Sequence, residues 1–206
     1  MKKMFSMKNE LRICVMACLF LLVGNMQMKA QNWRNAPQYH FGVRAGASFT
    51  NSWEDSWDGG ADTKDLVGPM LGVAFDTKVA KIPFYVETGL YYMNRGLRYE
   101  AYRWDNIHSS YDYTENNHSV LVPALISYHA YINKNMSFQP FMGPYLAYGF
   151  NDEEIDYGWR VGCGFNAKQF YVNVGVDYGL KDDFEQHEGN VCSVFLTLGW
   201  NFMGKR

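Results

Sequence analysis

Val194, Leu196, Leu198, Trp200 and Phe202 place an apolar side chain at every second position near the C-terminus, with Phe195, Thr197, Gly199 and Asn201 between them. Strict period two makes a strand with two unlike faces. Eight alternating segments of this kind follow one another along the chain. They start near Tyr39, Pro69, Pro83, Ser119, Ser137, Trp159, Gln169 and Val191. The connections alternate in length. Val79 to Ile82, Tyr131 to Met136 and Ala167-Lys168-Gln169 are short, whereas 51–68, 95–118, 151–158 and 181–190 are longer and polar.

The faces decide what such a chain folds into. One face carries Phe41, Val43, Ala45, Ala47 and Phe49, then Leu71, Val73 and Phe75, then Phe84, Val86, Thr88, Leu90 and Tyr92. It continues through Val122, Ala124, Ile126 and Tyr128, through Phe138, Met142, Leu146 and Tyr148, and through Val172, Val174, Val176 and Tyr178 to the closing strand. The opposite face carries Arg44, Asp76, Lys78, Glu87, Arg160 and Asp177, whose charges sum to zero. It also carries Gly42, Gly46, Gly72, Gly89, Gly143, Gly162, Gly164, Gly175 and Gly199. A soluble sandwich or lipocalin-like barrel would turn the apolar face inward. Two features oppose that arrangement. Glycine weakens a strand and has no purpose on a solvent face, whereas inside a narrow eight-stranded barrel it makes room for large neighbours. Aromatics on the apolar face also gather near strand ends: Phe41, Phe49, Tyr92, Tyr128, Phe138, Tyr148, Tyr178, Trp200 and Phe202, with Phe165 the exception. Rings at two interfaces with aliphatics between them fit a bilayer. The pattern predicts an all-β fold, an eight-stranded antiparallel transmembrane β-barrel, with both termini on the short-turn, periplasmic side and four loops outward.

The N-terminus agrees with an exported chain. Lys2, Lys3, Lys8 and Arg12 precede an apolar core from Ile13 to Val23, too short to cross a bilayer as a helix, and Ala30 is a small residue suited to cleavage. Residues 1–30 are therefore read as a signal peptide and 31–206 as one barrel domain in the cell outer membrane. The full chain carries −2 and the first thirty residues +4, so the rest carries −6 and shows no basic patch for nucleic acid. Cys163 and Cys192 fall on the sixth and eighth strands with the seventh between them. Two inter-strand steps of about 4.8 Å each exceed disulfide reach, so two free thiols in lipid are expected. Pro123, Pro140 and Pro144 fall inside strands, where a missing donor calls for a bulge or break near 140–144.

Several short motifs together are similar to a known family: Phe41-Gly42-Val43-Arg44-Ala45-Gly46, Glu87-Thr88-Gly89-Leu90-Tyr91-Tyr92, Val122-Pro123-Ala124-Leu125, Gly143-Pro144-Tyr145 and Leu196-Thr197-Leu198-Gly199-Trp200-Asn201-Phe202. They resemble the PorT-like outer-membrane β-barrel family of gram-negative bacteria over nearly all of the mature chain. The resemblance implies that the mid-strand prolines are tolerated. Leu121 departs from it, standing where the family often has an acidic residue. The family is functionally mixed, and one branch assists protein secretion.

Candidate sites follow from the same faces. The six inward charges predict an interior polar plug, since a buried charge needs a partner; a gated ion path is the sharper alternative. In the loops, Asp105, His108, Ser109, Ser110, His118 and Ser119, with Asp182, Asp183, Glu185, His187 and Glu188, could assemble a rim-site lipid-modifying enzyme, but no fixed spacing ties them together. Asp55, Asp58 and Asp62 do not fit a calcium loop. Loop rings (Trp53, Trp57, Tyr99, Tyr102, Trp104, Tyr111, Tyr113, Tyr157, Phe184) suit a binding surface, a cover over the mouth or the outer leaflet. No cofactor or metal is called for. The expectation is a non-catalytic barrel with a structural, surface-interaction or protein-export accessory role, the alternatives being a narrow channel and a rim enzyme. Its expected partners are outer-membrane lipid, the barrel-assembly machinery through the C-terminal strand, and a periplasmic or surface protein.

Overall fold

A computed structural model describes residues 36–53, 61–64, 66–80, 82–103, 109–133, 135–151, 153–180 and 190–203. Eight long strands form the wall: β1 (Tyr39–Trp53), β3 (Leu66–Lys78), β4 (Phe84–Asn94), β7 (His118–Tyr128), β9 (Met136–Gly149), β10 (Ile155–Ala167), β11 (Phe170–Gly179) and β12 (Asn190–Met203). They run antiparallel in the order β10-β11-β12-β1-β3-β4-β7-β9, and pairing of β9 with β10 closes the ring. Four shorter strands lie outside this wall: β2 (Ala61–Lys64), β5 (Leu97–Arg103), β6 (Ser109–Glu115) and β8 (Ala130–Asn133). β8 extends the short connection after β7 by pairing with β9, with a bulge between Tyr131 and Asn133. β2, β5 and β6 make a separate three-stranded sheet. The signal-peptide reading falls on residues 1–30, outside the described residues.

Alternation decides which way each side chain points. Val43, Leu71, Val86, Ile126, Val174 and Leu198 are exposed, while Arg44, Tyr85, Glu87, Leu125, Asn173 and Thr197 between them are buried. The wall thus turns its aliphatic face outward and its polar face inward, as lipid demands. Lipid offers no hydrogen-bond partner, so only a closed ladder leaves no backbone edge unsatisfied.

The outward rings form two bands. At the end where β1 starts and β12 finishes, Phe41 stacks on Phe202 with centroids 6.1 Å apart, Phe84 meets Tyr128 at 5.2 Å, and Phe170 meets Trp200 edge-on at 4.7 Å. Phe138 lies opposite Phe165 in the same band. Phe165 is therefore no mid-strand exception, because β10 ends two residues after it. Phe49, Tyr92, Tyr148 and Tyr178 stand at the far ends of their strands.

Two further expectations change. β9 runs unbroken through Pro140 and Pro144 and pairs with β10 along its length. The prolines instead leave gaps in two ladders without shifting register: β7–β9 pairing skips Ala124 and Leu125, and β4–β7 pairing skips Gly89 and Leu90. At the second gap the Thr88 hydroxyl donates to the Pro123 carbonyl at 2.8 Å, replacing a ladder bond on the lipid side. The connections 51–68 and 95–118, read as loops, hold β2, β5 and β6. Cys163 sits opposite Val174 and Cys192 opposite Tyr178, on either side of β11, and they form no disulfide.

Candidate functional site

Within the lumen the structure places the inward charges as follows. Arg160 on β10 and Asp177 on β11 are cross-strand partners, and the guanidinium donates Nε to Oδ1 at 2.6 Å and one terminal nitrogen to Oδ2 at 2.7 Å. Both side chains are almost wholly desolvated, at 2% and 0% exposure. Arg160 also lies over the rings of Tyr91 and Phe195, 5.0 and 4.5 Å from their centroids. Asp76 accepts from the backbone N–H of His40 and meets its Nδ1 at 2.6 Å, a partner that sequence reasoning missed. Glu87 lies opposite Asp76 in register. Arg44 lies over Tyr171 with Cζ 4.2 Å from the ring centroid and donates to the Val43 carbonyl. Lys78 is half-buried at the end of β3, where its backbone N–H donates to the Gln38 carbonyl.

The lumen is more than a charge network. Met70, Met93, Leu121, Leu125, Phe141, Tyr145 and Phe195 pack inward as one apolar cluster. Each large ring occupies space that a glycine leaves free. A Cβ at Gly162 would stand 2.6 Å from Phe141 Cζ, one at Gly175 2.5 Å from Phe195 Cζ, and one at Gly72 2.5 Å from Tyr91 Cδ1. No real Cβ approaches a ring that closely, so these positions exclude every other residue while the rings stay in place. Glycine on the inner face is the cost of filling eight strands with arginine and aromatic side chains.

This architecture matches solved structures. Residues covering 82% of the chain superpose on 98% of the outer membrane protein OprG from Pseudomonas aeruginosa, with a TM-score of 0.50 and 11% identity. The chain has the fold of the eight-stranded outer-membrane β-barrels. Further matches at lower similarity are the Yersinia pestis attachment invasion locus protein Ail in complex with a heparin analogue (TM-score 0.45, 12% identity, 80% of this chain and 99% of that one) and the outer membrane enzyme PagL (0.44, 10%, 75% and 98%). No family model matches the sequence, and no curated protein matches it.

At the far end of the barrel, residues read as loop reach into the lumen. Arg95 follows β4 and is buried. Its guanidinium reaches the Asp156 carboxylate on β10 and donates to the Tyr145 hydroxyl on β9 at 3.0 Å, spanning from one side of the ring to the other. Asn94 staples the base of the same connection: its Oδ1 accepts from the N–H groups of Gly96 and Asn117, both at 3.1 Å. Of the rim-enzyme candidates, His118 and Ser119 point to opposite faces. The His118 ring meets the Tyr92 hydroxyl at 2.8 Å on the outer wall, and the Ser119 hydroxyl donates inward to the Met93 carbonyl. Asp105, His108, Asp182, Asp183, Glu185, His187, Glu188, Asp55, Asp58, Trp57, Trp104 and Phe184 lie outside the described residues. Asp62, Ser109, Ser110, Tyr99, Tyr102, Tyr111 and Tyr113 lie on β2, β5 and β6, whose register sets Tyr99 opposite Tyr113 and Ala101 opposite Tyr111. Trp53 ends β1, and Tyr157 is exposed on β10. No group of three or more His, Cys, Asp or Glu side chains is arranged to hold a metal among the described residues.

Proposed function

We propose that the chain is a non-catalytic barrel of the outer membrane that acts through its outer surface. One observation carries this reading: β5 and β6 continue the β4–β7 connection as a hairpin, joined by β2 into a sheet separate from the barrel wall. A chain with only a structural role has no use for a second sheet, and sheets with free edges bind extended partners. The filled lumen supports the same reading, because arginine, tyrosine and phenylalanine occupy the space a channel needs. The opposite orientations of His118 and Ser119 weigh against a rim enzyme. Lipid covers the aliphatic wall, β12 is the strand offered to the assembly machinery, and the third partner is a protein at the cell surface. Membership of the PorT-like family, with its export branch, rests on the sequence motifs and makes a periplasmic partner the second reading.

The test replaces residues 98–114 with a short Gly-Ser linker. Barrel assembly is followed by gel migration before and after heating, and surface partners by cross-linking on intact cells. Assembly should persist while surface cross-links vanish, and planar-bilayer conductance should stay at baseline in both forms. Unchanged cross-links, or steady conductance abolished by Arg44→Met, would overturn the proposal in favour of the second reading or a channel.

A further inference from the structure

Once the strands are ordered, the charges outside the lumen sort by end. The end with the short connections carries Lys78, Lys81, Lys134, Lys168, Lys205 and Arg206, and no Asp or Glu occurs in 77–86, 127–138, 166–172 or 201–206. All 21 acidic residues except Glu10 and the lumen carboxylates Asp76, Glu87 and Asp177 fall within 54–65, 100–115, 152–156 and 182–188, in or beside the long connections of the opposite end. This sorting runs against the bulk charge, which is −6 after residue 30. No long stretch of the sequence is basic; closure of the barrel gathers these residues at one rim. Lys81 and Lys134 lie outside the described residues, but their bonds to Ala80 and Ile82, and to Asn133 and Asn135, keep them at this end.

The aromatic band sets the depth of this rim. Lys168 precedes Phe170 by two positions, and Lys81 precedes Phe84 by three. Phe170 meets Trp200, and Phe84 meets Tyr128, in the band that marks where acyl chains give way to headgroups. The turns between β3 and β4 and between β10 and β11 are too short to carry a lysine far beyond that layer. Val79, Ile82 and Ile132 are exposed in the same connections. Aliphatic side chains beside lysines in exposed turns suit a headgroup layer, which takes apolar stems and positive heads together. A hydrated polymer or a polar protein surface offers the isoleucines nothing. Lys168 also holds a φ of 60°, in the region that favours glycine or asparagine. The turn thus keeps a charge where glycine would be less strained.

We propose that this basic rim docks anionic phospholipid headgroups, of the phosphatidylglycerol or cardiolipin type, in the leaflet facing the short turns, with Lys81, Lys134 and Lys168 as the residues that meet them. Lysine attracts an anionic lipid surface only within about a Debye length, and headgroup depth satisfies that condition. The acidic residues of the opposite end repel the same headgroups, so the preference is one-sided. The barrel thereby enriches anionic lipid around one of its two rims. This holds whatever the outer sheet binds.

Paramagnetic relaxation in lipid nanodiscs tests it. The refolded full-length chain is placed in phosphatidylcholine discs containing a trace of phosphatidylglycerol or of phosphatidylcholine, each spin-labelled at the same acyl carbon near the glycerol. Broadening of the Val79, Ile132 and Lys168 amides should be about two- to fivefold greater with labelled phosphatidylglycerol, and no greater at Phe150 and Glu153 of the opposite end. Salt at about 0.5 M should remove the excess. The triple variant Lys81→Gln/Lys134→Gln/Lys168→Gln should equalise the two lipids, and the matching arginine triple should keep the excess. The basic N-terminal residues are the same in every form, so their contribution cancels. No excess at the short-turn end, or an excess unchanged in the glutamine triple, overturns the proposal. Absent excess with lysine-dependent co-sedimentation on purified peptidoglycan overturns it in favour of the cell wall as partner. If the triple variant does not refold, Lys168→Gln alone should lose the excess at its own turn, and an unchanged excess there overturns the proposal equally.

Discussion

The Arg160–Asp177 pair offers the sharpest energetic test of the filled lumen. Both side chains are out of water, and two hydrogen bonds of 2.6 and 2.7 Å join them. Removing one charge leaves the other buried and uncompensated, which costs about 3–5 kcal/mol. Asp177→Asn should therefore destabilise the barrel by that amount. Arg160→Met should cost at least as much, since it also loses contact with the Tyr91 and Phe195 rings. The double variant Arg160→Met/Asp177→Asn removes both charges and should cost less than either single change, a coupling of about 3 kcal/mol or more. The Arg95–Asp156 pair provides an internal scale. Asp156 is 16% exposed near the mouth, so its carboxylate keeps some water and Asp156→Asn should cost only about 1–3 kcal/mol. The assay is urea unfolding of the barrel in short-chain lipid vesicles, followed by tryptophan fluorescence from both directions. Additive single-variant effects, or a cost below about 1 kcal/mol for Asp177→Asn, would refute the argument that this pair is desolvated.

Four further outcomes rest on the same structure. Val174→Arg places a charge on the outer face midway along β11 and should cost about 2–4 kcal/mol in a lipid refolding titration. Asn173→Arg, one residue away and inward, should act through the bond from Thr197 and through crowding, with no dependence on bilayer thickness. Thr88→Val should cost about 1–3 kcal/mol in chemical unfolding, because it orphans the Pro123 carbonyl on the lipid side; a neutral result would mean that water or lipid headgroups reach that gap. Gly164→Ala should destabilise by about 1–3 kcal/mol, because its new methyl would stand 2.5 Å from Tyr171 Cζ. In a Tyr171→Ala background the same glycine change should cost little, and an undiminished cost there would assign the clash to the backbone instead.

Much of the wall was legible because lipid and lumen impose opposite chemistry on adjacent residues. Val43 beside Arg44, or Val174 beside Asn173, reports its face directly, and the segment starting near Tyr39 opens β1, which runs past Asn51 to Trp53. What escaped the sequence reading lies where that contrast is weak. Leu121, Leu125, Met70 and Phe195 face inward although they are as apolar as the wall; opposite Phe195, Gly175 leaves the room its ring needs. Leu97-Arg98-Tyr99-Glu100-Ala101 alternates and pairs as β5, but its charges read as loop. Arg95 and Asp156 were assigned to separate loops, since nothing in a sequence tells that β4 and β10 face each other across a ring. His40 became visible as a partner only when register set it opposite Asp76. Proline was misjudged for a related reason: a single missing donor on each ladder is absorbed as a local gap, and Thr88 fills one of them.

The central claim is that aliphatic side chains face acyl chains while charged and glycine-rich positions face a filled interior. Nuclear Overhauser transfer from lipid acyl protons to protein methyl groups, measured in lipid nanodiscs, tests it most directly. Transfer should reach the methyls of Val43, Leu71, Ile126, Val174 and Leu198, all exposed on the wall, and should be absent from Met70, Met93, Leu121 and Leu125. Transfer to Leu121 and Leu125 with none to Val174 and Leu198 would turn the barrel inside out and contradict the account.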